Sequence, residues 1–118
     1  MLPNIYAVLR TNTTVVNTVS TRIYRHGSAP QDVLKPYITW FLLSNMPEIQ
    51  LSGTPCHDMD VVQVDVWSET DQGIETLAYA ARAAFDNAGH AARVIQDLRE
   101  TETNLYRISL EVDIIQSR

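Results

Sequence analysis

The sequence predicts an α+β domain with a mainly antiparallel, mixed sheet, one long helix over about 71–88 and a short N-terminal helix packed on one face of the sheet. Residues 105–115 and 61–67 alternate between apolar and polar side chains, as half-buried strands do. Residues 71–88 instead repeat apolar side chains at helical spacing. Runs of strands with helices kept to one side favour the α+β class over alternating βαβ units.

Length and composition indicate one domain over residues 1–118. The chain is 45% hydrophobic and 19% charged, as in ordinary globular proteins. Two connections, at about 25–35 and 45–60, are long for a compact domain, and loops of that length are often functional or mobile.

The N-terminal third predicts three short elements. "PNIYAVLR" places proline at a first helical position and predicts a short helix. "TTVVNTVS" is ambiguous between helix and strand. "RIYR", residues 22–25, predicts a short strand.

Residues 36–45 predict a strand that is apolar on both faces. Such a strand is central and covered on both sides. A neighbouring subunit could supply part of that cover, so the segment hints at oligomerisation. One face carries Tyr37, Thr39, Phe41 and Leu43, and the other carries Ile38, Trp40 and Leu42.

The next strand and the long helix follow directly. In residues 61–67, Gln63 and Asp65 point outward, and Trp67 shares their face, so that face is not fully solvated. Thr70 or Asp71 can cap the helix. Gly89 suits its left-handed stop. Val62, Val64 and Val66 are predicted to point inward.

Two further strands complete the prediction. Residues 92–99 read as a strand with Val94 and Leu98 inward. Residues 105–115 give the clearest alternation in the chain. Their inward side chains are Tyr106, Ile108, Leu110, Val112 and Ile114.

The charge balance argues against a nucleic-acid-reading surface. Nine Lys and Arg residues face 14 Asp and Glu residues, which gives a net charge of −5. Binding to phosphates relies on clustered cations. The chain has a single lysine, Lys35, and scattered arginines.

No segment suggests export or membrane insertion. The first residues lack the apolar run of a secretion signal, and no stretch approaches ~20 apolar residues. One cysteine cannot form an internal disulfide, which favours synthesis in a reducing, intracellular compartment.

The stretch "GTPCHDMD", residues 53–60, resembles a reactive cluster but lacks the necessary partners. A zinc site commonly needs four ligands in spaced pairs, whereas Cys56 and His57 are adjacent and the other histidines are distant. A Cys-His nucleophile also needs an orienting third group. We therefore expect no catalytic residue, no metal and no cofactor, and interpret 45–60 as a connecting loop.

Three carboxylates are predicted to lie on the polar faces of strands. Asp65, Glu111 and Asp113 could gather as an acid-base pair or a hard-cation site. The alternative, which we favour, is a charged surface opposite Arg107 and its neighbours.

Apolar residues in the 45–60 segment have no regular pattern. Met46, Ile49 and Leu51 either tuck over the sheet edge or form a surface that contacts a partner. The sequence leaves both options open.

The order of the short motifs resembles the tail-terminator, or tail-completion, proteins of long-tailed bacteriophages over about residues 3–115. After an N-terminal helix come Arg-Ile-Tyr at 22–24, Pro-Tyr at 36–37, Gln-x-Asp-x-Trp at 63–67 and Leu-Tyr-Arg at 105–107. Ser20 and Thr21 stand where the family often has glycines, and so does Asn104.

The resemblance implies a ring-forming structural protein of the virion. A homohexamer would sit on the head-proximal end of the tail tube, end its growth and join the tail to the head. Its partners would be the major tail tube protein, the head completion or connector protein and the tape-measure protein, with assembly in the bacterial cytoplasm. DNA would pass through the lumen without specific binding.

Two other functions stay open on the sequence alone. One is a head-side connector or stopper component. The other is a small enzyme using Cys56 and His57, or a cellular ligand-binding module. On the assembly reading, the residues expected at oligomer or partner interfaces are Arg22, Tyr24, Met46, Ile49, Leu51, His57, Trp67 and Arg107.

Overall fold

The computed structural model describes residues 4–47 and 57–117 of the chain. This part forms three helices and one five-stranded sheet, an α+β arrangement. The elements are α1 (Ile5–Leu9), α2 (Thr13–Val19), β1 (Ile23–Arg25), β2 (Tyr37–Pro47), β3 (His57–Ser68), α3 (Asp71–Asn87), β4 (Ala91–Glu100) and β5 (Leu105–Ser117).

The sheet has the strand order β1-β2-β3-β5-β4. β1 pairs with β2 in parallel, and the other three pairings are antiparallel. The sheet is therefore mixed and mainly antiparallel, as predicted. Its centre is the three long strands β2, β3 and β5.

The N-terminal region contains two short helices, one more than predicted. The side chain of Asn4 caps α1 by accepting a hydrogen bond from the Ala7 amide at 3.0 Å. Asn12 caps α2 in the same way, and Val15 and Val19 lie buried four residues apart on one side of it. Cap and spacing together make the ambiguous "TTVVNTVS" segment helical.

The helix predicted over about 71–88 lies at Asp71–Asn87. Thr70 caps it, because its hydroxyl oxygen accepts a hydrogen bond from the Gly73 amide at 3.1 Å. At the other end Gly89 has φ of 84°, the left-handed conformation that suits glycine. The amide of His90 then donates to the Phe85 carbonyl at 2.9 Å, which closes the last turn.

One face of the sheet and all three helices enclose the hydrophobic core. Alanines on α3 let this helix approach the sheet closely, and Phe85 fills the remaining space at 0% exposure. The largest fully buried side chains on the sheet side are Ile38, Val62, Val64, Leu110 and Ile114, and the larger Trp40 is 7% exposed.

The strand predicted at 36–45 is covered on both faces only in its first half. Residues 37–40 are buried, whereas 41–47 are progressively exposed. β1 pairs only with residues 38–40 of β2, and a bulge at Leu43 interrupts the pairing with β3. Within one chain the strand is therefore covered on both faces only as far as Trp40, and cover of the remainder by a neighbouring subunit stays a prediction.

The loop predicted at 45–60 is shorter than expected. Residues 45–47 belong to β2 and residues 57–60 to β3, where Asp60 pairs with Asn45. The remainder of the predicted loop, with Cys56, lies outside the described residues. The segments 45–47, 57–60 and 114–117 extend as three strands beyond β1 and β4, and we call them the arm.

The prediction that Val94 and Leu98 both point inward is wrong. A bulge at Ile95 shifts the alternation of β4 between Val94 and Gln96. Val94 stays on the helix side, where it is 42% exposed, whereas Leu98 pairs with Arg107 and faces the opposite side. Ala92 is the buried residue of this strand.

Replacement of Phe85 by alanine should lower the free energy of unfolding by about 3–5 kcal/mol, because it removes a fully buried ring and leaves a cavity. Urea unfolding at fixed protein concentration measures the loss. Tyr79→Ala on the same helix is the control, since Tyr79 is 56% exposed and its removal should cost less than about 0.5 kcal/mol. Equal losses for the two variants would contradict the proposed core.

Replacement of Ser20 by glycine should stabilise the fold by about 1 kcal/mol. Ser20 ends α2 with φ of 54° and ψ of −112°, a conformation that strains any residue with a Cβ atom. Ser28→Gly is the control: Ser28 is an exposed serine outside the positive-φ set, so glycine there should only add freedom to the unfolded chain. A higher melting temperature for Ser28→Gly than for Ser20→Gly would refute the strain.

Candidate assembly surface

The face of the sheet opposite the helices, here called the open face, brings together residues from distant parts of the sequence. Tyr37 is paired with Trp67, and Trp67 is paired on its other side with Arg107. Paired residues point to the same side of a sheet. These three side chains therefore form one row across β2, β3 and β5.

An aromatic stack anchors this row. The rings of Tyr37 and Trp67 lie 5.8 Å apart between centroids and are tilted by only 10°. The indole Nε1 of Trp67 donates a hydrogen bond to the Thr39 hydroxyl at 3.0 Å, which fixes the ring in its plane. The guanidinium carbon of Arg107 lies 5.4 Å from the centre of the Trp67 ring, within the range of a cation–π contact.

Arg107 links the row to the edge strand β4. Its Nη2 donates to Gln96 Oε1 at 3.2 Å, and its Nε lies 3.5 Å from Glu100 Oε1, which is an ion pair without a hydrogen bond. Burial and the charge of Glu100 raise the pKa of Tyr37 above the ordinary tyrosine value. The tyrosine therefore keeps its proton under physiological conditions.

The connection between β1 and β2 leaves a cavity of about 330 Å³ against this row. Tyr37 and Trp67 form its aromatic wall, and Lys35 and Glu100 bring opposite charges to it. The other lining residues are Gly27, Ala29, Pro30, Gln31, Val33, Thr39, Thr103 and Leu105.

The predicted acidic residues of the open face do not gather into one site. Asp65 is only 5% exposed, and its Oδ1 accepts hydrogen bonds from Ser109 Oγ at 2.5 Å and from Gln63 Nε2 at 3.0 Å. It is thus an internally satisfied carboxylate rather than a solvated one. Within the described residues no group of three or more His, Cys, Asp and Glu side chains is placed to hold a metal ion.

Glu111 and Asp113 pair with Arg93 instead of facing Arg107. Arg93 Nη1 donates to Asp113 Oδ2 at 3.1 Å, and Nη2 forms an ion pair with Glu111. Hydrogen bonds with Asp113 and Glu111 raise the pKa of Arg93. Glu111 and Asp113 thus form a charged surface as expected, but with Arg93 and not Arg107 as the counter-ion, and without Asp65.

The other predicted interface residues are scattered. Arg22 lies inside the chain's own packing, since Nε donates to the Pro36 carbonyl at 3.0 Å and Nη2 to the Thr18 carbonyl at 2.9 Å. Tyr24 is half-buried and pairs with Thr39 on the open face. Ile49 and Leu51 lie outside the described residues.

Met46 and His57 both belong to the arm, where the polarity of the sheet changes. Met46, Met59 and Ile115 occupy one cross-strand row on the open face. Met46 is 47% exposed and Ile115 is 58% exposed. An apolar row thus follows rows that carry polar and charged side chains nearer the centre of the sheet, such as Gln63, Glu111 and Asp113.

On β2 and β3 the helix side of the arm shows the opposite change, whereas Ile114 of β5 stays in the core. Asn45, Asp58 and Asp60 take the places that leucine and valine hold earlier in β2 and β3. Asn45 Nδ2 donates to one oxygen of Asp60, whose side chain is fully buried. It also donates to Asp58 Oδ2 at 3.3 Å. The sequence signal for this reversal is the adjacent pair Val61–Val62, where the apolar residues of β3 change face.

Replacement of Arg107 by alanine should lower the free energy of unfolding by about 1–2 kcal/mol, because it removes the contacts with Trp67 and Gln96. Urea unfolding measures the loss, and tryptophan fluorescence reports the altered ring. Arg82→Ala is the matched control, since Arg82 lies on α3 on the other side of the sheet. A loss no larger than the control's would show that the network does not stabilise the fold.

Comparison with known proteins adds a family and a fold. The family model for "Tail completion protein gp17" matches residues 3–117. No curated protein matches the chain. Among solved structures, a chain from the virion of a native gene transfer agent particle aligns with a TM-score of 0.61 at 16% identity, covering 97% of this chain and 92% of that one.

The structural likeness, at so low an identity, shows a shared fold. The family match spans nearly the whole chain and is independent of the structural likeness. No helix in the described ranges is long and apolar enough to cross a membrane. The chain belongs to the tail completion protein gp17 family and is a structural component of the virion tail.

Proposed function

We propose that six copies of the chain form a ring on the head-proximal end of the phage tail tube, stop tube growth and join the tail to the head. The family match over residues 3–117 carries this proposal. The ring would contact the major tail tube protein on one side and the head completion or connector protein on the other. The tape-measure protein would end at, or pass through, its lumen.

The charge of the chain suits a passage for DNA. Six chains at −5 each carry −30 in total. An acidic lumen repels the phosphate backbone, so DNA moves through without adhering. The proposal includes no chemical step: His57 lies in β3 paired with Ser117, and its neighbours there are strand residues.

Purified protein should form a particle of about 80 kDa, six times 13.3 kDa, either free or on the ends of isolated tail tubes. Multi-angle light scattering measures the free state, and negative-stain imaging with and without tubes shows the caps. Protein captured by tail-less heads but not by tubes would instead identify a head-side connector. A chain that stays monomeric at high concentration and never caps tubes would overturn the proposal.

Simultaneous replacement of Cys56 and His57 by alanine should leave tail assembly and phage yield unchanged, because neither residue has a chemical role on this proposal. Complementation of a phage lacking the gene measures yield, and circular dichroism confirms folding. Arg107→Ala, which weakens the fold itself, serves as the comparison for a structural defect. Complete loss of phage yield in a double variant that still folds and assembles tails would favour an enzyme, whereas loss of assembly would assign His57 to an interface.

A further inference from the structure

The reversal of polarity in the arm leaves an exposed apolar row on the open face. In water, a strand that leaves the core normally turns its apolar side chains inward and its polar ones outward. Here Met46 and Ile115 project from the open face, 47% and 58% exposed, with Met59 between them. The row spans three strands, so its apolar side chains form one continuous patch.

The strand edges of the arm are also unpaired within the described residues. β1 reaches only to Trp40 on β2, and β4 begins opposite Asp113 on β5. Among the residues that the structure describes, no strand lies beside the outer backbone edges of the arm. Exposed edges of this kind are sites of association.

A second apolar surface lies on the edge strand β4. Val94 and Ile95 sit at the bulge of β4 and are 42% and 40% exposed. The outer edge of β4 has no strand beside it in the described part of the chain. This surface, the β4 edge, does not overlap the apolar row of Met46, Met59 and Ile115.

We propose that the apolar row of the arm of one copy packs against the β4 edge of the next copy. This inference rests on the proposed ring and names the contact that closes it. Two different surfaces on one chain give a head-to-tail contact, which leaves one arm and one edge unsatisfied until a ring closes. An arm-to-arm contact would be self-complementary and would stop at a dimer.

A mixing experiment with two variants tests the contact. Ile115→Asp breaks the arm and keeps the β4 edge, whereas Val94→Asp breaks the edge and keeps the arm. Each variant alone should associate about 30-fold or more weakly than the natural chain, as for loss of a central interface residue. Mixed together, they should form a one-to-one dimer that grows no further, because a single intact contact is left.

Matched controls separate this contact from general damage. Tyr79→Asp places the same charge on an exposed residue of α3 and should leave association unchanged. Both arm and edge positions are exposed in the single chain, so circular dichroism and melting temperature should match the natural protein. If association occurs only on tail tubes, the same proteins are scored by the number bound per tube end.

The outcomes distinguish the contact from the ring itself. If the natural chain forms rings and Ile115→Asp or Val94→Asp also does, the contact is wrong and the ring stands. Two monomeric variants that fail to form the mixed dimer would likewise overturn the contact. If the natural chain neither forms rings nor caps tubes, the proposed function fails before the contact is tested.

Discussion

The helical layer is shorter than the sheet that it covers, and the rest of the structure depends on this mismatch. α3 has 17 residues and spans about 26 Å, whereas β5 has 13 residues and spans about 43 Å. One helix of that length can bury only part of the strands. On β3 the apolar core ends at Val62: the next residue on that face, Asp60, is buried but polar, beside Ile114, the last core residue of β5.

This mismatch explains which parts of the fold could be predicted from the sequence. Within the covered region the alternation of Val62, Val64 and Val66 has a constant phase, and the strand was predicted correctly. Beyond this region the apolar residues of β3 change face at Val61–Val62. A prediction that expects the apolar residues of a strand to stay on one face therefore interprets the arm as a loop. The bulges at Leu43 and Ile95 have the same effect, because each inserts one residue and breaks a two-residue period.

The candidate surface was partly predictable for a related reason. Trp67 and Arg107 were expected at a functional surface, and pairing of β3 with β5 brings them together. Tyr37 and Gln96, which complete the network, come from strands whose register is fixed only in the folded sheet. The turns were recoverable from the family pattern: Ser20 and Asn104, which stand where glycines are frequent, have φ of 54° and 57°.

The contacts that the arginines make within the chain bear on how the chain would interact with DNA. Of the seven arginines among the described residues, six contact their own chain through hydrogen bonds, ion pairs or aromatic rings: Arg10, Arg22, Arg25, Arg93, Arg99 and Arg107. A guanidinium already held by a carboxylate, a carbonyl or a ring gains little from a phosphate, because it would have to give up those contacts. The chain thus uses its arginines for contacts within itself. The excess of carboxylates therefore determines how strongly its surface would repel a polyanion such as DNA. In the proposed ring, arginines would thus stabilise each chain while the excess carboxylates would repel DNA in the lumen.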